Sequence, residues 1–152
     1  MKRVLTLAAS AIVTLGALGS RAEAAPATTF FTDGAVISMS VVPTAGRAEV
    51  VIGVNGAVTV QDFILRNPDK VVVDITGATL GVPAGASYDG VARGGILSVR
   101  YAQYKKNVVR VVLTLDQARP YSVVQGDKEV RIAVAGQNAQ FASWSVGDRP
   151  QH

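Results

Sequence analysis

The chain has 152 residues, with 15 Lys and Arg against 11 Asp and Glu, a single His and no Cys. The absence of Cys excludes disulfides and lipid attachment to a cysteine, and one His cannot build a zinc centre of the usual kind or a Ser/His pair for nucleophilic catalysis. The length fits one domain, which can be stabilised by packing alone.

The N-terminal segment has the composition of a cleavable signal peptide. Lys2 and Arg3 precede an uncharged apolar stretch from Val4 to Leu18, and Ala22-Glu23-Ala24 fits the small-x-small pattern of a cleavage site. The apolar stretch is shorter than the roughly 20 residues that span a bilayer, so a membrane anchor is the weaker interpretation. We therefore expect residues 1–24 to direct Sec-type export and to be removed.

Removal of the signal peptide changes the charge balance. The mature chain keeps 12 basic and 10 acidic residues, because Lys2, Arg3, Arg21 and Glu23 are lost. An excess of two is too small to indicate a nucleic-acid partner, which needs a clustered basic surface. We expect the mature chain to begin with a flexible N-terminus over residues 25–33.

Three segments in the first half of the mature chain recur in the same order in the second half. They are "GAVISMSVV" (34–42) with "GGILSVRYA" (94–102), "AEVVIGV" (48–54) with "VRVVLTL" (109–115), and "KVVVDI" (70–75) with "EVRIAV" (129–134). The offsets stay within one residue of 60, and the drift falls in turns. This order predicts two copies of one unit of about 60 residues. A chance likeness between ordinary strands is the alternative.

Each of these segments alternates apolar and polar residues, which is typical of a half-buried strand. The turns "RNPDK" and "QGDK" connect apolar runs at equivalent places, as hairpin loops do. The residues expected to face the core are Ile37, Met39, Val41, Val50, Ile52, Val54, Val71, Val73 and Ile75 in the first copy and Leu97, Val99, Tyr101, Val111, Leu113, Leu115, Val130, Ile132 and Val134 in the second. Lys70, Val72 and Asp74 are expected to face outward.

These patterns predict an all-β fold, an antiparallel β-sandwich of two small pseudo-symmetric sheets built from an internal duplication. The sandwich should occupy residues 34–136. We expect each copy to supply one sheet or most of one, and the segment from Thr79 to Gly95, rich in Gly and Ala, to join the copies.

The order and spacing of these strands resemble a known family. "NPDKVVVDITG", preceded by "VQDFIL" and followed by "VRYAQYKKNVVRVVLTLD" and "PYSVVQGDKEVRIAV", is similar to the AMIN domain, the amidase N-terminal module of cell-wall amidases and type IV pilus secretins. The resemblance covers about residues 34–136. It implies a symmetric pair of small sheets and a periplasmic, non-catalytic module that binds peptidoglycan. It also allows a protein-interaction role with secretin or other envelope proteins.

The sequence departs from this family at two points. Lys70 stands at the start of a strand where the family often has arginine, so the charge is kept but the bidentate geometry is not. AMIN domains usually precede an amidase or a secretin region, and here "GQNAQFASWSVGDRPQH" comes after the last repeat strand, which leaves open both a stand-alone protein and the N-terminal part of a longer amidase or secretin. Phe141 and Trp144 in this C-terminal tail (137–152) could cover a sheet face or begin a linker, and the sequence leaves both open.

Asp74 lies within the most β-prone run of the chain. A surface aspartate in a strand usually forms a cross-strand pair, here with Lys70 on the same face or with an arginine of a neighbouring strand. The alternative is a ligand contact in which its carboxylate accepts hydrogen bonds from sugar hydroxyls or peptide amides. A catalytic pair with Asp116 would need a deep cleft, which short hairpins do not provide. We therefore expect no enzyme activity, metal or cofactor.

A basic and aromatic cluster, "RYAQYKKNVVR", surrounds one predicted hairpin. Its outward side chains could pair with the carboxylates of peptidoglycan and stack on a sugar ring. The alternative is a solvated hairpin whose lysines discourage edge-to-edge pairing. The candidate ligand-binding residues are Lys70, Asp74, Arg100, Tyr104, Lys105, Lys106 and Arg110.

Overall fold

The computed structural model describes residues 34–83, 86–136 and 140–147. Within these ranges the chain forms ten strands and no helix. The strands are β1 (Gly34–Thr44), β2 (Arg47–Asn55), β3 (Thr59–Leu65), β4 (Lys70–Thr76), β5 (Ala78–Leu80), β6 (Ile96–Lys105), β7 (Val108–Leu115), β8 (Tyr121–Gln125), β9 (Glu129–Ala135) and β10 (Trp144–Gly147). No apolar helix that could cross a membrane occurs in this part of the chain. The expected signal peptide and residues 25–33 lie outside it.

The strands form two sheets, which confirms the predicted all-β sandwich. Sheet I has six strands in the order β10-β1-β2-β9-β8, with β5 parallel to the start of β1. Sheet II has four strands in the order β3-β4-β7-β6. Every pairing except that of β5 with β1 is antiparallel.

The two copies exchange strands between the sheets, so the prediction that each copy supplies one sheet is wrong. The first copy is β1 to β4 and the second is β6 to β9. Sheet I takes β1 and β2 from the first copy and β9 and β8 from the second, while sheet II takes β6 and β7 with β4 and β3. At the centre of each sheet, a strand of one copy therefore pairs with a strand of the other.

The pairing registers preserve the duplication. Val50 pairs with Ile132 at the centre of sheet I, and the equivalent residues Val111 and Val73 pair at the centre of sheet II. The first strand of each copy also carries a bulge at the same place, between Val36 and Ser38 in β1 and between Ile96 and Ser98 in β6. Such a coincidence of register and irregularity favours duplication over a chance likeness.

These bulges overturn two of the predicted core positions. A bulge adds one residue to a strand and shifts the alternation by one position. Val36 and Ile96 are therefore fully buried, whereas Leu97 is 42% exposed and Ile37 is only partly buried. The sequence pattern assigned Ile37 and Leu97 to the core because it assumed unbroken alternation.

The core lies between the two sheets and is built from branched aliphatic residues of both copies. The remaining predicted core residues are fully or nearly fully buried, apart from Tyr101, which packs partly buried against the cluster. Val and Ile fit pleated sheets because their branched side chains are stiff and pack well on a flat surface. The main buried side chains are Val36, Met39, Val41, Val50, Ile52, Val71, Val73, Ile75, Ile96, Val109, Val111, Leu113, Val130, Ile132 and Val134.

The residues after the second copy return to the sandwich. β10 pairs with β1 from Ser38 to Val41, so the described part of the tail extends sheet I instead of beginning a linker. Phe141 and Trp144 pack against the core. The Trp144 ring meets Tyr88 edge to face, with centroids 5.0 Å apart.

A buried arginine holds this return in place. Arg93 is only 5% exposed, and its Nε donates a hydrogen bond to the Ala142 carbonyl at 2.8 Å. Its two terminal nitrogens donate to the Asp89 carboxylate at 2.6 and 2.7 Å. These hydrogen bonds from Arg93 lower the pKa of Asp89 to about 2. The crossover between the copies is thereby tied to the C-terminal strand.

Replacement of a core residue should cost far more than replacement of its exposed neighbour. Ile132→Ala is expected to lower the free energy of unfolding by about 2–5 kcal/mol, because it leaves a cavity between the sheets. Val124→Ala, on the adjacent strand but 60% exposed, should change it by less than about 0.5 kcal/mol. Urea unfolding followed by tryptophan fluorescence measures both, and equal effects would contradict the described sandwich core.

The contact between Asp89 and Arg93 should give a defined pH dependence. Because the pKa of Asp89 is lowered in the folded state from 3.8 to about 2, its stabilisation is present above about pH 4 and is lost as the pH falls through about 2. The difference in unfolding free energy between the natural chain and Asp89→Asn should therefore be constant from pH 7 to 5 and shrink below pH 4. Asp127→Asn, in an exposed turn, serves as the control. A difference that persists unchanged at pH 2 would rule out this contact.

A candidate binding face on the four-stranded sheet

The outer surface of sheet II gathers most of the residues that the sequence singled out. Paired residues of adjacent antiparallel strands point to the same side of a sheet, so the register fixes the rows of this surface. One row holds Gln61, Asp74, Arg110 and Ala102, and the next holds Phe63, Val72, Val112 and Arg100. We call this surface the arginine face and define it by Phe63, Lys70, Asp74, Arg100, Tyr104 and Arg110.

Asp74 and Arg110 form a bidentate ion pair across the two central strands. They are direct partners in the register of β4 and β7. Arg110 donates from Nε to one carboxylate oxygen at 2.8 Å and from a terminal nitrogen to the other at 2.9 Å. The hydrogen bonds that Arg110 donates to Asp74 raise the pKa of Arg110, so the arginine stays charged at any physiological pH. The structure thus confirms the predicted cross-strand pair, with the arginine of a neighbouring strand as the partner of Asp74.

Two aromatic rings flank the Arg110 guanidinium. Its central carbon lies 3.6 Å from the centroid of the Tyr104 ring and 5.5 Å from that of Phe63. The Lys105 ammonium lies 5.4 Å from the Tyr104 ring. Planar stacking of arginine on an aromatic ring combines cation–π attraction with contact area. Since Tyr104 is 48% and Phe63 39% exposed, much of each ring remains open to solvent.

The centre of the arginine face is apolar and closed. Val72 was predicted to face outward, and it does, but it is only 2% exposed. Its neighbours in the register are Phe63 on β3 and Val112 on β7. A buried valine on an outer surface shows that the larger side chains around it pack over it as a layer.

A groove borders the arginine face along strand β6. It has a volume of about 490 Å³, within the range of small-ligand sites. One wall is the segment at Ala86 and Ser87, and the other includes Arg100, Tyr104 and Val112. The Arg100 side chain is exposed, and among the described residues no carboxylate lies within ion-pair distance of it. It therefore provides an uncompensated positive charge beside an apolar floor.

The structure separates the predicted candidates into two groups. Lys70, Asp74, Arg100, Tyr104 and Arg110 lie together on the arginine face, with Lys70 in the same strand and on the same side as Asp74. Lys105 and Lys106 lie at the exposed β6–β7 hairpin beside Tyr104. The predicted clustering of this basic hairpin is correct, but Arg110 is neutralised by Asp74 and is not a free cation.

Phe63 is the member of this face that the sequence interpretation did not propose as a site residue. The available signal was the hairpin turn "RNPD", which places Leu65 opposite Lys70 and hence Phe63 opposite Val72. The long-range pairing of β4 with β7 decides that Phe63 reaches Arg110, and no local pattern reveals that pairing.

The outer surface of sheet I differs from this arrangement. The duplication relates Arg110 to Glu49 and Asp74 to Ala133, so the ion pair has no counterpart there. Glu49 instead accepts from Arg131 at 2.9 Å and lies 3.3 Å from Arg47. The equivalent of Phe63 is Val124. The arginine face is therefore a property of one sheet and not of the duplicated fold.

The described residues offer little chemistry for catalysis. None of their His, Cys, Asp and Glu side chains form a group of three that could hold a metal ion. Asp116, the other carboxylate considered from the sequence, accepts two hydrogen bonds from Arg119 at 2.7 and 2.9 Å. These hydrogen bonds from Arg119 lower the pKa of Asp116, which is opposite to the requirement for a general acid near neutral pH.

Comparison with known families gives one result over most of this fold. The model of the AMIN domain matches residues 38–135, from within β1 to the end of β9. This range contains nearly all of the first copy, the whole second copy and the whole arginine face. No curated protein matches the chain significantly.

The pairing of Asp74 with Arg110 should be measurable as a coupling. Single substitutions Asp74→Ala and Arg110→Ala and the double variant form a mutant cycle, for which we expect an interaction of about 1 kcal/mol because the pair is bidentate but partly solvated. Asp69 and Arg66, which meet at 3.5 Å on an exposed turn, provide the matched pair and should couple by less than about 0.5 kcal/mol. Equal coupling in the two cycles would contradict a special role for Asp74.

Proposed function

The chain belongs to the AMIN domain family, and we propose on that basis that it binds peptidoglycan non-covalently through the arginine face and so confers a position at the cell wall. The family is known for peptidoglycan binding and periplasmic localisation and is non-catalytic. The observation that carries the proposal is the placement of the Arg110 guanidinium between the half-exposed rings of Tyr104 and Phe63.

The chemistry of this surface suits a polymer of amino sugars and short peptides. An aromatic ring presents an apolar face to the C–H face of a sugar. The carboxylates of the lactyl and peptide groups can pair with the cations beside the rings, Arg100, Lys70 and the hairpin lysines. Asp74 is committed to Arg110 in the free protein, so its role is to fix the guanidinium between the rings.

The shape of the site predicts weak individual contacts. The arginine face is an open sheet surface, and its groove is shallow, so only part of a ligand would be removed from water. A sacculus, however, presents the same repeating unit many times, and rebinding to neighbouring units raises the effective affinity. Retention at the wall then follows from the polymeric ligand more than from any one contact.

The proposal also includes export to the periplasm and a lack of enzyme activity. The signal-peptide pattern of residues 1–24 and the periplasmic setting of the family support export to the periplasm. The non-catalytic character of the family and the committed carboxylates Asp74 and Asp116 support a binding module instead of an enzyme.

The proposal is tested by sedimentation of the full mature chain with purified sacculi. We expect the protein to pellet at low salt and to be partly released at high salt, because part of the attraction is between exposed charges. Phe63→Ala and Tyr104→Ala should each weaken binding about threefold to tenfold through loss of ring contact. Protein that stays in the supernatant at low salt would remove the wall-binding function.

The duplication supplies matched controls for this experiment. Val124 occupies in sheet I the position that Phe63 occupies in sheet II, so Val124→Ala should leave sedimentation unchanged. The double variant Lys105→Ala/Lys106→Ala tests whether the lysines of the β6–β7 hairpin contribute to sedimentation. Lys128→Ala, on the β8–β9 hairpin, is the control. If the Phe63 and Val124 variants behave alike, the ligand does not occupy the arginine face.

A further inference from the structure

The duplication makes β1 and β6 equivalent strands, but only one of them has its outer edge covered. Residues Ser38–Val41 of β1 pair with β10 on one side and with β2 on the other. The equivalent residues of β6, 98–101, pair with β7 only. No strand in the described part of the chain lies against their other side. The backbone groups on that side therefore have no partner from the sheet.

The open stretch of β6 has defined ends. At its start, Ile96 exchanges two backbone hydrogen bonds with Arg93, each 2.9 Å long. At its other end, the Gln103 amide accepts from the Leu80 N–H at 2.8 Å and donates to the carbonyls of Ala78 and Lys105. Residues 97–102 lie between these caps. Between these two ends, the outer backbone N–H and C=O groups of β6 are available to pair with one short strand.

The other two edge strands, β3 and β8, differ from β6 because side-chain hydrogen bonds link them to each other. β3 and β8 are the remaining edges of the two sheets, and no strand formed by the described residues lies on the outer side of either. They are tied together across the sandwich, since Tyr121 donates to the Asp62 carboxylate at 2.6 Å and Gln125 donates to the Val58 carbonyl at 2.8 Å. Asp62 also places a charge on the inner side of β3, a feature that discourages strand addition.

The surroundings of the open edge favour an acidic occupant. The groove of about 490 Å³ runs along Val99 to Tyr104 and exposes Arg100. Lys105 and Lys106 follow at the hairpin. Asp74, in the row next to that of Arg100, is neutralised by Arg110. An entering segment with carboxylates at alternate residues could present them all on the cationic side.

We propose that the outer edge of β6, at residues 97–102, binds an extended acidic segment of another protein, which adds to sheet II as an antiparallel fifth strand. The arrangement of β10 on β1 is the template within the same molecule: a short antiparallel strand on the equivalent edge. Backbone hydrogen bonds provide the affinity, and the basic side chains of β6 and its hairpin select the acidic sequence. This site differs from the arginine face because it recognises a polypeptide backbone.

The test uses a fluorescein-labelled synthetic peptide of about ten residues in which Glu alternates with Val. Fluorescence anisotropy with the full mature chain should show saturable binding at low salt, and a peptide with Gln in place of Glu should bind about tenfold more weakly. Amide shifts on binding should be largest at residues 97–102. Shifts confined to β3, or loss of the β10 signals as the peptide replaces that strand, would overturn the assignment to β6.

N-methylation of the peptide separates strand addition from charge attraction. An added strand uses the N–H groups of every second residue, so methylation of one alternate set should abolish binding and methylation of the other should leave it largely intact. Equal binding by the two methylated peptides would refute pairing with an edge. Arg100→Glu should abolish binding, whereas Lys128→Glu, the same charge change on the β8–β9 hairpin, should not.

Failure of this inference and failure of wall binding can be told apart. Phe63 lies on β3, at the far side of sheet II from β6, so Phe63→Ala should weaken sedimentation with sacculi and leave peptide binding unchanged. If the peptide does not bind while sacculi still do, the edge site is refuted and the arginine face stands. If the peptide binds and sacculi do not, wall binding by the arginine face is refuted and the edge site on β6 stands.

Discussion

The pairing of each copy with the other at the centre of both sheets is the constraint on which the structure depends. β2 meets β9 in sheet I, and β7 meets β4 in sheet II. Neither copy can satisfy the backbone groups of its central strands alone, since half of their partners belong to the other copy. The two units must therefore fold as one domain, and the core between the sheets forms only when both are present.

This exchange also explains the position of the candidate site. Asp74 comes from the first copy and Arg110 from the second, and they meet only because β4 pairs with β7. Phe63 and Tyr104 likewise belong to different copies and meet at the same guanidinium. The equivalent positions in sheet I hold Glu49 and Ala133, so the two outer surfaces differ although the strands are equivalent. The duplicated fold thus has two equivalent outer surfaces, of which one carries the aromatic rings and the paired arginine.

Much of this fold could be predicted from the sequence, because period-two alternation and hairpin turns are local signals. The strands, the equivalence of the copies and the outward side of Lys70 and Asp74 follow from such signals. The exchange of strands between sheets could not be predicted, since either arrangement buries the same valines. The bulges at Ile37 and Leu97 were missed because an extra residue in a strand leaves no mark on composition. The partner of Asp74 and the inclusion of Phe63 depend on the same long-range register.

The edges of the sheets show how a duplicated fold can gain a second role without a new element. A symmetric sandwich of this kind begins with equivalent open edges at β1 and β6, and an open edge is a risk for aggregation. β10 closes the edge of β1, and the network of Arg93, Asp89 and Tyr88 holds that closure. Nothing in the described chain does the same for residues 97–102 of β6, where instead Arg100 is exposed, Lys105 and Lys106 follow at the hairpin and a groove runs alongside. Positive side chains keep such an edge soluble by repelling a second copy of itself, and they make the same edge attractive to an acidic strand. Protection against self-association and selection of a partner would then have one physical cause.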